Sequence, residues 1–161
     1  MKLVTYEIEQ KVKLGALSSD EKWIYPLSSM GIDYRCMQEL IENISESELQ
    51  LAQHYCGQEV GRIRGAAPVE EVKLLAPIPN PRQDVICLGV NYMAHAEESA
   101  RFKKEEFNGE RPYAIYFSKR VNRASATGDG IPSHRDMVQD LDYEAELAVI
   151  IGKEASHVKP E

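Results

Sequence analysis

Two glutamates placed two residues apart, Glu144 and Glu146, are the first residues of this sequence whose types and spacing suggest chemistry. They belong to the stretch Asp140-Leu-Asp-Tyr-Glu-Ala-Glu-Leu-Ala-Val-Ile-Ile-Gly-Lys153, whose alternation predicts a half-buried β-strand. A period of two puts both carboxylates on one face, where they repel each other and where a divalent cation would relieve that repulsion. Oxygen ligands suit Mg²⁺, Mn²⁺ or Ca²⁺ rather than zinc. From this pair alone, an edge strand with a solvated acidic face is the simpler alternative.

A second group of candidate residues consists of His95, Glu98 and Lys119. The first two are three residues apart in a predicted helix over 94–107, so they share a face, and a carboxylate beside an imidazole supports general-base catalysis. Lys119 follows a predicted strand over 113–118, where its ammonium could hold a substrate carboxylate or an enolate oxygen. The plainer alternatives are an exposed ion pair on the helix and a solvated surface lysine.

The elements that precede these residues are predicted to form a small β-rich domain with one or two helices over residues 1–75. The predicted strands lie at 2–9, 11–17, 22–26 and 70–75, and the predicted helices at 33–44 and 45–55. Asp33 is the expected N-cap of the first helix. Ser45 and Glu48 have the spacing of a capping box for the second helix, which is expected to end at Gly57.

Three prolines within residues 76–83 predict an extended linker to a second domain over 84–161. That domain is predicted to begin with a buried strand at 84–88, a turn at 89–92 and the helix at 94–107, followed by a loop at 108–112. Strand, turn and helix in this order invite a dinucleotide-binding interpretation. We reject it because the turn has one glycine where the fingerprint needs three.

Composition excludes several classes of function and location. The formal net charge of −7 argues against nucleic-acid binding, which needs a basic surface, and no apolar run is long enough for a transmembrane helix, so no membrane association is expected. The three cysteines are scattered without a Cys-x-x-Cys motif, which indicates reduced, mostly buried thiols in a cytoplasmic protein.

Three motifs in one order carry a resemblance to a known family. They are Cys87-Leu-Gly-Val-Asn-Tyr-Met-Ala-His95, then Tyr116-Phe-Ser-Lys119, then the Glu-x-Glu stretch that ends at Lys153. Together they resemble the fumarylacetoacetate hydrolase family in its bacterial short form. The resemblance is good from about residue 73 onward and looser before it.

The resemblance implies an α+β protein in which the N-terminal domain precedes the leading part of a mixed β-roll catalytic domain. It implies Glu144 and Glu146 as ligands of Mg²⁺ (or Mn²⁺ or Ca²⁺), His95 and Glu98 as a base dyad, and Lys119 at the substrate pocket. Members act on β-dicarbonyl or 2-oxo (dienedioate-type) acids by C–C hydrolysis, decarboxylation or tautomerisation through a metal-stabilised enolate. A role in the catabolism of aromatic compounds and a homodimer of the full-length protein are further implications.

One departure from the family pattern concerns the third metal ligand. The family has an aspartate downstream of the Glu-x-Glu strand, and the fifteen residues after Glu146 contain no match to it. We therefore expect the chain to hold an incomplete catalytic domain. The alternative function is a non-catalytic remnant that binds metal weakly or pairs with a homologous subunit. Without strands to cover Leu147 and Val149, we expect exposed sheet edges and self-association.

Overall fold

The structure, a computed structural model, describes residues 1–104 and 113–160. The chain divides into two compact units. The first comprises Met1–Pro79 together with Ala124–Glu161, and the second comprises Asn80–Arg123. The sequence predicts domains that are continuous in the chain, at 1–75 and 84–161 with a linker at 76–83, whereas these compact units are defined by contacts. The predicted domains therefore stay a prediction.

The first unit is built on a five-stranded antiparallel sheet with the order β4-β3-β2-β1-β5. Its strands are β1 (Leu3–Ile8), β2 (Lys11–Leu17), β3 (Trp23–Pro26), β4 (Ala67–Pro68) and β5 (Lys73–Leu74). The meander of the first three strands confirms the predicted one. The predicted strand at 70–75 is shorter, because a 3₁₀ turn occupies Val69–Glu71.

Two helices follow the meander, α1 (Met37–Asn43) and α2 (Glu46–Cys56). The prediction of Asp33 as N-cap is wrong, since the N-cap of α1 is Cys36. The backbone amide of Arg35 donates to Glu39 Oε2 at 2.7 Å. A carboxylate within α1 thus accepts a hydrogen bond from the backbone that precedes the helix.

Helix α2 begins as predicted. The amide of Glu48 donates to Ser45 Oγ at 3.2 Å, and the amide of Ser45 donates to Glu48 Oε2 at 2.8 Å, which completes the capping box. The hydroxyl of Tyr34 donates to the same carboxylate at 3.0 Å. These donors, the Ser45 amide first among them, hold the pKa of Glu48 below its ordinary value. The helix ends at Gly57, as predicted.

The hydrophobic core of the first unit lies among the sheet, the two helices and a 3₁₀ turn over Leu27–Met30. Its buried residues are Leu14, Ala16, Tyr25, Leu27, Met30, Ile32, Met37, Leu40, Ala52, Cys56 and Ile63. Burial raises the pKa of the Cys56 thiol, as expected of an inert cysteine in an apolar setting. The prediction of mostly buried cysteines holds only for Cys56, because Cys36 is exposed and Cys87 is half-buried.

The second unit contains a two-stranded antiparallel sheet and one helix. Strand β6 spans Val85–Gly89, helix α3 spans Met93–Lys103, and strand β7 spans Ile115–Lys119. The strand–turn–helix–strand order is as predicted. Strand β6, however, is exposed at Val85, Ile86 and Leu88 rather than buried. Helix α3 ends earlier than the predicted 107, because Lys104 is its C-cap. The predicted loop at 108–112 lies outside the described residues.

The stretch predicted as the acidic strand, 140–153, is where the structure departs most from the sequence pattern. It belongs to neither sheet of the described residues, and its apolar side chains are exposed. A strand exists only through ladder hydrogen bonds to a neighbouring strand, so alternation alone does not create one. Gly152, near the end of the stretch, lies against Ile41 of α1.

Helices and antiparallel strands together make the protein α+β, as predicted. Among the helices of the described part of the chain, none has the length and apolar character needed to cross a bilayer.

Candidate active site

Helix α3 carries the predicted base dyad. The turn that leads into it includes Val90 with a φ of 49°, a left-handed conformation that is rare for a β-branched residue. The helix then starts after Tyr92, whose carbonyl accepts a hydrogen bond from the amide of Ala96 at 3.0 Å. Residues three apart on a helix share a face, so His95 and Glu98 are neighbours on α3. His95 is half-buried and Glu98 is exposed.

Lys119 is the last residue of β7, at the strand end where the sequence predicted it. It pairs in register with Val85 of β6, while Phe117 pairs with Cys87. Alternation along the strand puts Lys119 and Phe117 on the same face, and the ammonium lies 5.7 Å from the centre of the phenyl ring. The lysine is therefore held beside an aromatic surface at an exposed strand end, where an anionic group can reach it.

Glu144 and Glu146 are both exposed, in a stretch without regular secondary structure. His95, Glu98 and Lys119 belong to the second unit and the two glutamates belong to the first. The structure thus places His95 and Glu98 on one helix and Lys119 at the end of a strand of the same unit, while the two glutamates lie in a segment of the first unit. The assignment of roles to these five residues stays a prediction.

The contact in the first unit that sequence reasoning missed joins Lys73 and Asp129. The Lys73 ammonium lies 2.8 Å from Asp129 Oδ1, and the amide of Ala126 donates to Asp129 Oδ2 at 2.8 Å. The amide of Ala124 also donates to the carbonyl of Pro79 at 2.7 Å. These bonds hold the turn at 124–130 against the N-terminal segment. In the sequence, this turn lies between Lys119 and Glu144. No local pattern could reveal a pair that is 56 residues apart.

A cleft of about 500 Å³ adjoins this ion pair and is lined by residues 69–74 and 127–129. None of the five predicted site residues lines it. The cleft therefore adds nothing to the candidate active site.

Comparison with known families bears on the C-terminal half of the chain. Residues 84–161 match the family described as fumarylacetoacetate (FAA) hydrolase C-terminal. This segment, 78 of the 161 residues, belongs to the fumarylacetoacetate hydrolase family. The matched segment contains all five predicted site residues, because it begins before His95 and extends beyond Glu146.

Several known proteins are similar to this chain over matches of different lengths. The oxaloacetate tautomerase YisK of Bacillus subtilis (strain 168) is 41% identical over 93 residues, which are 58% of this chain and 29% of the relative. An uncharacterised protein of Staphylococcus saprophyticus is 32% identical over 88 residues, 55% of this chain and 26% of its own length. One from Staphylococcus aureus (strain USA300) is 25% identical over 170 residues, 98% of this chain and 53% of its own length. The chain thus spans between about a quarter and about half of these relatives.

Fumarylacetoacetate hydrolase family members generally use divalent metals. The two carboxylates of Glu144 and Glu146 are hard oxygen donors, so they fit such an ion in kind. Within residues 1–104 and 113–160, no group of three His, Cys, Asp or Glu side chains is placed to hold a metal ion. Metal binding by Glu144 and Glu146 therefore stays a prediction, in which the two carboxylates would be joined by further ligands.

Proposed function

We propose that the protein carrying this chain is a divalent-metal-dependent tautomerase of a small 2-oxo acid, of the kind typified by oxaloacetate. The observation that carries the proposal is the 41% identity to a protein named oxaloacetate tautomerase, within a chain whose segment 84–161 belongs to a family of hydrolases and isomerases. C–C bond hydrolysis and decarboxylation use the same residues and are the alternatives within the enzyme class.

Keto–enol tautomerisation moves one proton from a carbon to the neighbouring carbonyl oxygen, while the double bond shifts from C=O to C=C. The imidazole of His95 is suited to take the proton from the carbon next to the carbonyl and to return it at the oxygen. Glu98, on the same face of α3, is suited to orient the ring. After the two steps His95 is back in its starting protonation state, as catalysis requires.

Lys119 supplies positive charge without a proton transfer. Its exposed ammonium beside Phe117 would bind a carboxylate of the substrate or the enolate oxygen as negative charge develops there. A divalent cation, held by Glu144 and Glu146 together with further ligands, would supply Lewis acidity toward the substrate oxygens when bound.

The experiment that tests this function measures oxaloacetate tautomerisation by the intact protein, from the decay of the ultraviolet absorbance of the enol, with Mg²⁺ or Mn²⁺ added. His95→Ala is expected to lower kcat by about 10²–10⁴-fold, the usual contribution of general acid–base catalysis. Lys119→Met is expected to raise KM as well as to lower kcat. Asp142→Asn, an exposed acid next to the proposed ligands, is the matched control and should leave both constants unchanged.

A wild-type protein that does not accelerate the reaction with either metal would contradict the proposal, as would full activity of His95→Ala. The first of these outcomes would favour the alternative function, a chain without catalysis that binds metal weakly or pairs with a homologous subunit. The oxo-acid substrate, the homodimer, the cytoplasmic location and a role in breaking down aromatic compounds remain parts of the proposal.

A further inference from the structure

The ammonium of Lys119 has an aromatic neighbour on its own strand. It lies 5.7 Å from the centre of the Phe117 ring, within the distance at which the negative face of an aromatic ring attracts a cation. Among the ion pairs formed by the described residues, none includes Lys119. In this part of the chain the positive charge is therefore held by a ring and is not neutralised by a carboxylate.

The backbone that carries Lys119 is fixed by its neighbours. Lys119 pairs in register with Val85 of β6. Beyond the strand end, the side-chain amide of Asn80 donates to the carbonyl of Asn122 at 2.8 Å, so the two segments stay bonded past the last residue of the sheet. The freedom that Lys119 retains is therefore that of its long side chain, and ordering such a side chain costs conformational entropy.

The surroundings of the Lys119 side chain on its face of the sheet carry no charge. Alternation along β7 puts Phe117 on this face, and the residues opposite Phe117 and Lys119 in β6 are Cys87 and Val85. Lys119 is exposed and Phe117 is 44% exposed, so a ligand can reach both side chains. The ring is thus the feature of this face that can orient the ammonium while leaving it accessible.

We propose that Phe117 is a positioning residue that orders the Lys119 ammonium for a carboxylate of the substrate. A flexible lysine loses rotamer freedom when it binds an anion, and a ring that already holds the ammonium lowers that cost. The carboxylate binds on the side of the ammonium that faces away from the ring, so both contacts exist together. The inference rests on the proposed function for the identity of the anion, a small oxo acid, and it gives the ring a role in substrate affinity.

The experiment follows the Lys119 ε-methylene signal by nuclear magnetic resonance during titration with malonate, a dicarboxylate that does not react, without added metal. The signal is assigned by its absence in Lys119→Met. In the wild type the ring current of Phe117 should shift it upfield. Phe117→Leu should remove this shift and weaken malonate binding about two- to tenfold, the usual cost of ordering one such side chain. Phe117→Tyr keeps a ring and should preserve both.

The matched control for Phe117→Leu is Tyr116→Leu, which removes an exposed aromatic side chain from the opposite face of β7. It should leave the Lys119 signal and malonate binding unchanged. In turnover of oxaloacetate, Phe117→Leu should raise KM by the same factor as it weakens malonate binding. Added to Lys119→Met, it should raise KM no further, because the ring acts only through the ammonium.

Three results would each overturn the proposal. They are a wild-type Lys119 signal without the upfield shift, malonate binding that Phe117→Leu leaves unchanged or strengthens, and a further rise in KM when Phe117→Leu is added to Lys119→Met. A wild type that binds malonate as described but does not tautomerise oxaloacetate would contradict the proposed function alone, and the positioning role of Phe117 would stand.

Discussion

Gly15 in β2 offers the sharpest test of how the first unit is packed. A Cβ added at this residue would lie 2.5 Å from Ile24 Cγ2, 3.1 Å from Tyr6 Cε1 and 3.2 Å from the carbonyl oxygen of Tyr25. Ile24 is completely buried, so it cannot move into solvent to make room. Overpacking of this kind costs about 1–3 kcal/mol. Replacing glycine by alanine recovers about 0.5–1 kcal/mol of backbone entropy, which leaves a net destabilisation centred near 1 kcal/mol, and at most about 2.5 kcal/mol, for Gly15→Ala.

The matched control for Gly15→Ala is Gly61→Ala, because a Cβ at Gly61 meets nothing within 4 Å and the residue does not have a left-handed φ. This control should be neutral or more stable than wild type by about 0.4–1 kcal/mol. Both variants are measured by urea denaturation followed through Trp23, the single tryptophan, which lies in β3 beside the altered strand pair. The two variants should therefore shift stability in opposite directions. Equal or higher stability of Gly15→Ala would refute the packing described for β2 and β3.

Three further changes test backbone strain and helix capping. The hairpin turn at Glu9 and Gln10 has positive φ at both residues, so Gln10→Gly should raise stability by about 0.5–1 kcal/mol in thermal denaturation. Ser45→Ala should cost about 1 kcal/mol through the lost cap of α2. Folding lowers the pKa of Glu48. The Glu48 carboxylate therefore stabilises the fold at pH values above its pKa in the unfolded chain, and this stabilisation is lost as the pH falls through its pKa in the folded protein. Ser45→Ala should therefore make acid unfolding less steep. Val90→Gly should remove the left-handed strain before α3 and raise protection of the α3 amides in hydrogen exchange. Unchanged stability of Gln10→Gly, an unaltered acid transition of Ser45→Ala, or lower protection in Val90→Gly would contradict these accounts.

Elements with local signals were predictable from the sequence. The capping box of α2 needs only Ser45 and Glu48 at the right spacing, and the meander needs only alternation and tight turns, so both agree with the structure. The N-cap of α1 was mispredicted because Asp33 is the usual residue type, whereas the Glu39 carboxylate reaches the amide of Arg35 instead.

Features that depend on distant partners could not be predicted in the same way. Burial of β6 was inferred from its apolar composition, but composition does not say whether anything covers a strand. The alternation around Glu144 and Glu146 specifies which residues share a face only after a neighbouring strand fixes the backbone. The pair Lys73–Asp129 joins two segments that have no shared motif. For the candidate site, the sequence supplied the residue types and their spacing. The order of the three motifs indicated the family.

Binding of a divalent cation by Glu144 and Glu146 together is the part of the proposed function on which the rest depends. Isothermal titration of the intact, metal-free protein with Mg²⁺ and Mn²⁺ tests it most directly. We predict a binding heat that Glu144→Ala and Glu146→Ala each abolish and that the control Asp140→Asn with Asp142→Asn retains. Absence of any binding heat in the wild type, or a heat that survives both glutamate substitutions, would contradict the claim.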